Sequence, residues 1–274
     1  MIRGALWIML CALLLGACTG RTQPIPLDHG AGSASAPRHL WVPAPGTTWQ
    51  WQLSGRPDTT VDAQVFDVDA VDTPAEVVAT LHRAGRKVIC YVNTGAAEDF
   101  RPDYPAFPAQ LLGEGNGWPG ERWLDIRRRD TLRPIMAARF DLCRQKGFDA
   151  VEADLVDGYR NDTGFPLSAA DQLAYNRMLA GLAHERGLSF GLKNDLGQVG
   201  ELLGEAEFAI NEQCAEYGEC DRLTPFIQAG KAVFHVEYNL DNSAFCSQTI
   251  ELGFSSMRKN KSLDAQRWPC RPGS

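Results

Sequence analysis

Residues 149–159 read Asp-Ala-Val-Glu-Ala-Asp-Leu-Val-Asp-Gly-Tyr, four acids interleaved with small and aliphatic side chains just after Gly147. The run has the look of a buried strand that opens into a loop built of carboxylates. A strand's two-residue period puts Glu152 and Asp154 on one face and Val151, Ala153 and Leu155 on the other. Two acids on one face of a core strand are costly to bury unless they are paired or used. This stretch therefore anchors a candidate active site, and the rest of the chain has to supply a sheet around it.

Strand character recurs at Thr48 to Leu53, Ala63 to Asp69, Lys87 to Asn93, Arg122 to Ile126, Ser189 to Asn194, Phe208 to Glu212 and Ala232 to Tyr238. With the anchor, the fifth in order, these make eight. Helices are expected from Thr73-Pro74, as N-cap and first-turn proline, through Ala84, and from Leu132 to Lys146. Ser168 caps a helix from Ala169 to Arg186 that Gly187 closes, and shorter helices follow at 197–205, 221–229 and 244–257. Eight strands mostly separated by helices, in a chain of 274 residues, predict a single α/β domain of the (β/α)8 barrel type. Too few residues join the first two strands for a helix between them. A doubly wound sheet is the alternative, but its glycine-rich dinucleotide turn is absent. Thr94 to Gly120, rich in Gly and Pro, reads as a long functional loop over the site.

The first 17 residues carry one charge, Arg3, and an apolar run from Ala5 to Leu15, too short to span a bilayer and typical of a signal peptide. The small residues before Cys18 resemble a bacterial lipobox, so Cys18 is expected to become a lipidated N-terminus; a plain secretory signal is the alternative. Residues 18–46, rich in Pro, Gly, Ser and Ala, read as a disordered tether, leaving 47–274 as the folded domain. The expected protein is an exported monomer that meets a membrane only through its lipid. Thr19 after the cysteine favours the outer membrane or cell surface, with secretion if Cys18 is unmodified.

Loss of residues 1–17 removes Arg3 alone and takes the formal charge from −7 to −8, which argues against a nucleic-acid partner. Cys90, Cys143, Cys214, Cys220, Cys246 and Cys270 remain, and in an exported chain they suggest three disulfides among fifteen connectivities. Proximity favours Cys214 with Cys220 and Cys246 with Cys270, which leaves Cys90 with Cys143. No CxxC or HxxxH spacing supports zinc, and no metal or cofactor is expected.

Polar residues stand at the ends of the strands: Asp67, Tyr91 with Asn93, Asp125, Glu152 with Asp154, Lys193 with Asn194, Glu212 and Glu237. In a barrel these ends meet at the C-terminal mouth, where active sites lie. Asp154 and Glu212 fall on the fifth and seventh expected strands, of equal parity, so their side chains can share a layer. Strands two apart are separated by roughly 10 Å. Inward side chains narrow that gap toward the span at which paired carboxylates cleave a glycosidic bond, one protonated and one ionised. Trp51, Tyr91, Trp118, Trp123, Tyr159 and Tyr238 fall in the mouth segments, where flat faces can stack on sugar rings. An acidic rim suits a cationic or neutral glycan, and neither a nucleophile elbow nor a phosphate loop is present.

Six segments, CYVNTGAAEDFRPD, WLDIR, GFDAVEADLVDGYRNDTGFPLSAADQLAYN, GLKND, NEQC and VEYN, resemble glycoside hydrolase family 114, the endo-α-1,4-polygalactosaminidase family, over roughly Trp49 to Asn239. The resemblance implies a (β/α)8 barrel that hydrolyses α-1,4-linked galactosamine or N-acetylgalactosamine polymers without metal. Its two catalytic acids match Asp154 of VEADLVDGY and Glu212 of NEQC; by analogy with related retaining barrels, Asp154 is the nucleophile and Glu212 the acid/base. Where members commonly read VEPDNVDGY, Ala153 and Leu155 stand here, which removes a polar side chain beside Asp154. A non-catalytic carbohydrate-binding lipoprotein on the same barrel is the alternative function.

Overall fold

The computed structural model describes residues 40–271. The expected signal peptide, Cys18 and residues 19–39 of the tether lie outside the described residues. In chain order the strands are β1 (Trp49–Gln52), β2 (Val65–Asp69), β3 (Lys87–Asn93), β4 (Ala96–Glu98), β5 (Leu112–Gly115), β6 (Glu121–Leu124), β7 (Ala150–Asp154), β8 (Ser189–Lys193), β9 (Phe208–Glu212), β10 (Val233–Glu237), β11 (Ser255–Lys259) and β12 (Arg267–Pro269). The helices are α1 (Ala75–Arg83), α2 (Arg129–Lys146), α3 (Ala169–Glu185), α4 (Val199–Leu202), α5 (Thr224–Gln228) and α6 (Asn242–Glu251). No helix among the described residues is long and apolar enough to cross a membrane.

Nine strands form one sheet in the order β1-β2-β3-β7-β8-β9-β10-β11-β12, parallel except for β12, and it curls into a nearly closed barrel. The seam between β11 and β1 is bridged by side chains and a loop. The Trp49 indole donates to the Ser255 carbonyl at 2.8 Å, the Arg267 guanidinium to the Trp49 carbonyl at 2.6 Å, and the Leu53 amide to the Leu263 carbonyl at 2.9 Å. As expected, β1 and β2 are joined without a helix.

The barrel type matches the sequence reading, but its strand inventory does not. Arg122 to Ile126 is not a barrel strand: β6 sits at the centre of a separate antiparallel sheet, β4-β6-β5. The expected loop over the site is thus itself folded. The chain turns between β5 and β6 at Trp118-Pro119-Gly120-Glu121, where the Glu121 amide donates to the Trp118 carbonyl at 3.2 Å and Gly120 takes φ +84° after the proline. The eighth parallel strand is β11, taken from the end of the segment expected as helix 244–257. Gly253, at φ +80°, follows the end of α6, and Ser255, Met257 and Lys259 then alternate as a strand.

Two buried layers result. Trp49, Trp51, Val65, Ile89, Phe208, Ile210, Phe234, Val236 and Met257 fill the barrel, and the opposite faces of the strands pack against the helices. Gly191 lies in the interior because a Cβ there would come within 2.3 Å of the Phe208 ring. Helix α3 starts on a capping box in which Ser168 and Asp171 exchange side-chain to backbone bonds. Residues 40–46, expected to be tether, belong to the domain. Trp41 packs on Phe208 at 6.0 Å between ring centroids and its carbonyl accepts from Ser189, while Pro43 accepts from the Ala232 amide at 2.8 Å. They cover the N-terminal ends of β8, β9 and β10.

The three disulfides are Cys90–Cys143, Cys214–Cys220 and Cys246–Cys270, the pairing that proximity favoured.

Candidate active site

Asp154 ends β7 and Glu212 ends β9, with β8 between them. Losing one expected strand before Asp154 turns the fifth and seventh strands into the fourth and sixth, so the parity argument still applies. Lys193, the last residue of β8, is 2 % exposed and joins the two acids. Its Nζ lies 2.9 Å from Asp154 Oδ1, 3.1 Å from Glu212 Oε2 and 3.1 Å from Glu152 Oε1. Two oxygens each within 3.1 Å of one nitrogen are no more than about 6 Å apart, close to the separation of a retaining pair and short of the inverting range.

The partners of the two acids differ. Asp154 Oδ2 accepts from the Tyr91 hydroxyl at 2.8 Å, and its backbone carbonyl accepts from the amides of Thr94 and Gly95. Burial alone would raise the Asp154 carboxyl, but the Lys193 ammonium, the Tyr91 hydroxyl and the Leu155 amide hold it below the ordinary aspartate range. Glu212 Oε1 accepts from the Tyr238 hydroxyl, and its backbone amide donates to Asn194 Oδ1 at 2.9 Å. For Lys193 itself, burial works against the charge, yet Asp154, Glu212 and Glu152 together keep it protonated well above the usual lysine range. The Trp51 ring lies 4.6 Å from the same nitrogen, so Trp51 meets the ammonium with its π face.

Beneath this layer, Asp67 and Glu152 are fully buried. Burial, reinforced by the charge of Glu152, raises Asp67 well above its usual range, and burial likewise raises Glu152. The expectation that these two contact substrate gives way to a supporting place below Lys193.

Trp51, Tyr91, Asp154, Lys193, Asn194, Glu212 and Tyr238 line one cleft of about 520 Å³, within the range of small-molecule and sugar sites. Asn93 reaches it indirectly, through a 3.0 Å bond to Glu121. Two expected site residues lie elsewhere. Asp125 follows β6 and is held by Arg127 at 2.7 Å. Glu237 points to the outer face of β10, where it accepts from His235 at 2.9 Å and from the Ala215 amide at 2.9 Å. Both faces of β10 are buried, so alternation alone does not say which one faces the barrel. Among the expected aromatics, Trp118 lines the cleft, Trp123 is buried in β6, and Tyr159 packs against Gly197.

The sequence reading missed Asp69, Glu98, Arg101, Glu121, Asp157 and Lys261, all of which line the cleft. Arg101 is spent on Asp69 and Glu98 at 2.5 and 3.1 Å. Burial first, and then the charge of Asp154, raises Asp157. Leu155, expected opposite Asp154, instead lines the cleft because it turns to φ +58°. In all, seven carboxyl groups face three cations in this cleft. Cys214, Cys220 and His235 cluster within 4.8 Å, but the sulfurs are joined to one another and offer no thiolate to a metal.

The model of glycoside-hydrolase family GH114 matches residues 30–274. The chain belongs to family GH114. Among solved structures, Ega3 of Aspergillus fumigatus in complex with galactosamine is 40% identical, with a TM-score of 0.80 over 84% of this chain and 97% of that one. The glycoside hydrolase domain of PelA from Pseudomonas aeruginosa shares the fold at 14% identity and a TM-score of 0.64, over 80% of this chain and 97% of that one. A comparison with curated proteins finds no match. As a GH114 member the protein is a glycoside hydrolase with a carbohydrate substrate.

Proposed function

We propose that the protein is an endo-acting hydrolase of α-1,4-linked galactosamine or N-acetylgalactosamine polysaccharide, with Asp154 as nucleophile and Glu212 as acid/base. The observation that carries this reading is the single Lys193 ammonium bonded to both acids at 2.9 and 3.1 Å. Asp154, held ionised, attacks the anomeric carbon while Glu212 gives its proton to the departing glycosidic oxygen. The bond to that oxygen breaks as the bond to Asp154 forms, leaving a glycosyl ester. Lys193 stabilises the carboxylate left on Glu212. That carboxylate then takes a proton from water as its oxygen displaces Asp154, so the product keeps the configuration of the substrate. The galactosamine bound by Ega3 and the excess of carboxyl groups in the cleft favour a cationic sugar chain.

Asp154→Asn and Glu212→Gln should each lower kcat by about 10²- to 10⁴-fold in protein that still folds cooperatively, with Asp154→Asn less stable at neutral pH because it gives up its ion pair with Lys193. Proton NMR of the first product should show retained anomeric configuration. Full turnover by either variant, or inverted product, would reject the assignment. Residues 1–17 and Cys18 support a lipidated envelope protein at the outer membrane or cell surface. Cys18→Ala should move the protein from the membrane to the soluble fraction, and continued sedimentation with membranes would count against an anchor.

A further inference from the structure

Glu237 is fully buried on the outer face of β10, yet only one of its carboxylate oxygens is used. Oε1 gathers three donors: the His235 ring at 2.9 Å, the Ala215 amide at 2.9 Å and the Glu216 amide at 3.3 Å. Oε2 has no hydrogen-bond partner among the described residues. Burial of an unpaired carboxylate oxygen is costly, so packing alone does not account for a glutamate at this position. What Oε1 holds has to account for it. His235 is itself fixed, with the Ser256 hydroxyl 3.0 Å from Nδ1 and the rings of Phe245 and Phe254 set edge-on to the imidazole.

The two backbone amides belong to the turn that follows Glu212. Gln213 leaves β9 at φ +64° and donates its amide to the Val236 carbonyl at 2.8 Å. The Cys214 amide donates to Asn211 Oδ1 at 3.1 Å, and Cys214 is tied to Cys220. Next along β10, the Tyr238 hydroxyl donates to the Glu212 carboxylate from the cleft side. Val236, Glu237 and Tyr238 therefore hold the end of β9 in three ways: a carbonyl on Gln213, a buried carboxylate on the turn, and a phenol on Glu212 itself.

From this geometry we infer that Glu237 is a positioning residue for the proton donor: by clamping the Ala215 and Glu216 amides from outside the barrel, it fixes the direction in which Glu212 meets the departing glycosidic oxygen. The inference rests on the reading of Glu212 as acid/base. Glu237 is not among the residues that line the cleft, so it acts through the turn and not on the sugar. Charge-assisted bonds from amides to a carboxylate are the stronger kind, and a general acid displaced by about 1 Å loses much of its effect.

The test uses two leaving groups that differ in their need for a proton. A sugar hydroxyl departs only with help from the acid, whereas a nitrophenolate departs without it. kcat/KM is measured for the purified protein, Glu237→Ala, Glu237→Gln and Glu212→Gln on an α-1,4-galactosamine polymer and on a nitrophenyl glycoside of a galactosamine oligosaccharide. Glu237→Ala should lose about 10- to 100-fold on the polymer and stay within about threefold on the nitrophenyl substrate. Glu237→Gln keeps an oxygen for the two amides and should recover most of the polymer activity. Glu237→Asp, whose carboxylate falls short of the amides, should show the same split in smaller degree and carries the comparison if the alanine variant does not fold. Amide exchange at residues 213–220 should quicken in Glu237→Ala and return toward the wild-type rate in Glu237→Gln. Equal losses on the two substrates, no loss on the polymer, or a glutamine variant no better than the alanine one overturns the positioning role. Glu212→Gln separates the two readings: if it too loses both substrates equally, the acid/base assignment fails as well, and if it loses the polymer alone, that assignment stands whatever Glu237 does. A wild-type protein that cleaves neither substrate overturns both.

Discussion

Lys193 is the residue on which the site depends. It is buried among Glu152, Asp154 and Glu212, and removing one partner of a buried ion network leaves the others uncompensated, at about 3–5 kcal/mol. Lys193→Met should therefore destabilise the protein by that amount at neutral pH. The sign of the pH dependence follows from Asp154, whose carboxyl is depressed in the folded chain. That contribution is present above the ordinary aspartate range and is lost as pH falls through the depressed value. Without the ammonium the buried carboxyls titrate higher, so the deficit of the variant should shrink as acid protonates them. The acidic limb of kcat/KM should move to higher pH for the same reason. Urea unfolding at pH 7 and pH 4, with a pH–rate profile, checks both; an unmoved limb would separate Lys193 from Asp154. Leu155 is the residue whose conformation the sequence hid. At φ +58° it occupies a region favourable to Gly and Asn, and the family's asparagine at that position was the available signal.

At the scale of elements, β11, β12 and the loop between them decide how the barrel closes. Lys259, 2 % exposed at the end of β11, donates to the carbonyls of Asp264 at 2.6 Å and Gln266 at 2.7 Å and lies 3.4 Å from Gln50 Oε1 on β1. The same loop carries Lys261, Ser262 and Leu263 into the cleft. Lys259→Met leaves those oxygens without their donor, at about 1–3 kcal/mol for each one buried. Amide exchange across residues 260–266 should quicken and KM should rise while kcat changes little. Burial lowers the Lys259 ammonium from 10.5 to about 8, so between these values the unfolded chain holds a proton that the folded chain has released. Wild-type stability gains a rising contribution over that interval, and the variant should lose it; unchanged exchange and an unchanged slope would mean the loop is held elsewhere. The sequence reading missed β11 because Ser-Ser-Met-Arg-Lys has little apolar content, and the alternation of Ser255, Met257 and Lys259 is recognisable only beside Trp49 and Gln50. The β5–β6 hairpin had a local signal in Pro119-Gly120, but the length and glycine content of its surroundings resembled an unstructured loop.

Across the whole molecule, the chain by itself determined the barrel type, the pairing of its cysteines and the two acids that end β7 and β9, since these follow from strand and helix periodicity, two short cysteine separations that leave one pair over, and motifs carried on single elements. Tertiary structure decided which eight strands close the ring and on which face each polar residue lies. Glu237 and Glu212 end neighbouring strands, yet one anchors the Cys214–Cys220 loop and the other reaches Lys193. Both faces of a barrel strand are buried, one by the interior and one by helices, so alternation marks two faces without naming them. Contacts between distant segments, such as Glu121 with Asn93 or Trp41 with Phe208, exist only after the ring has formed, because the groups that select one another are then within reach for the first time.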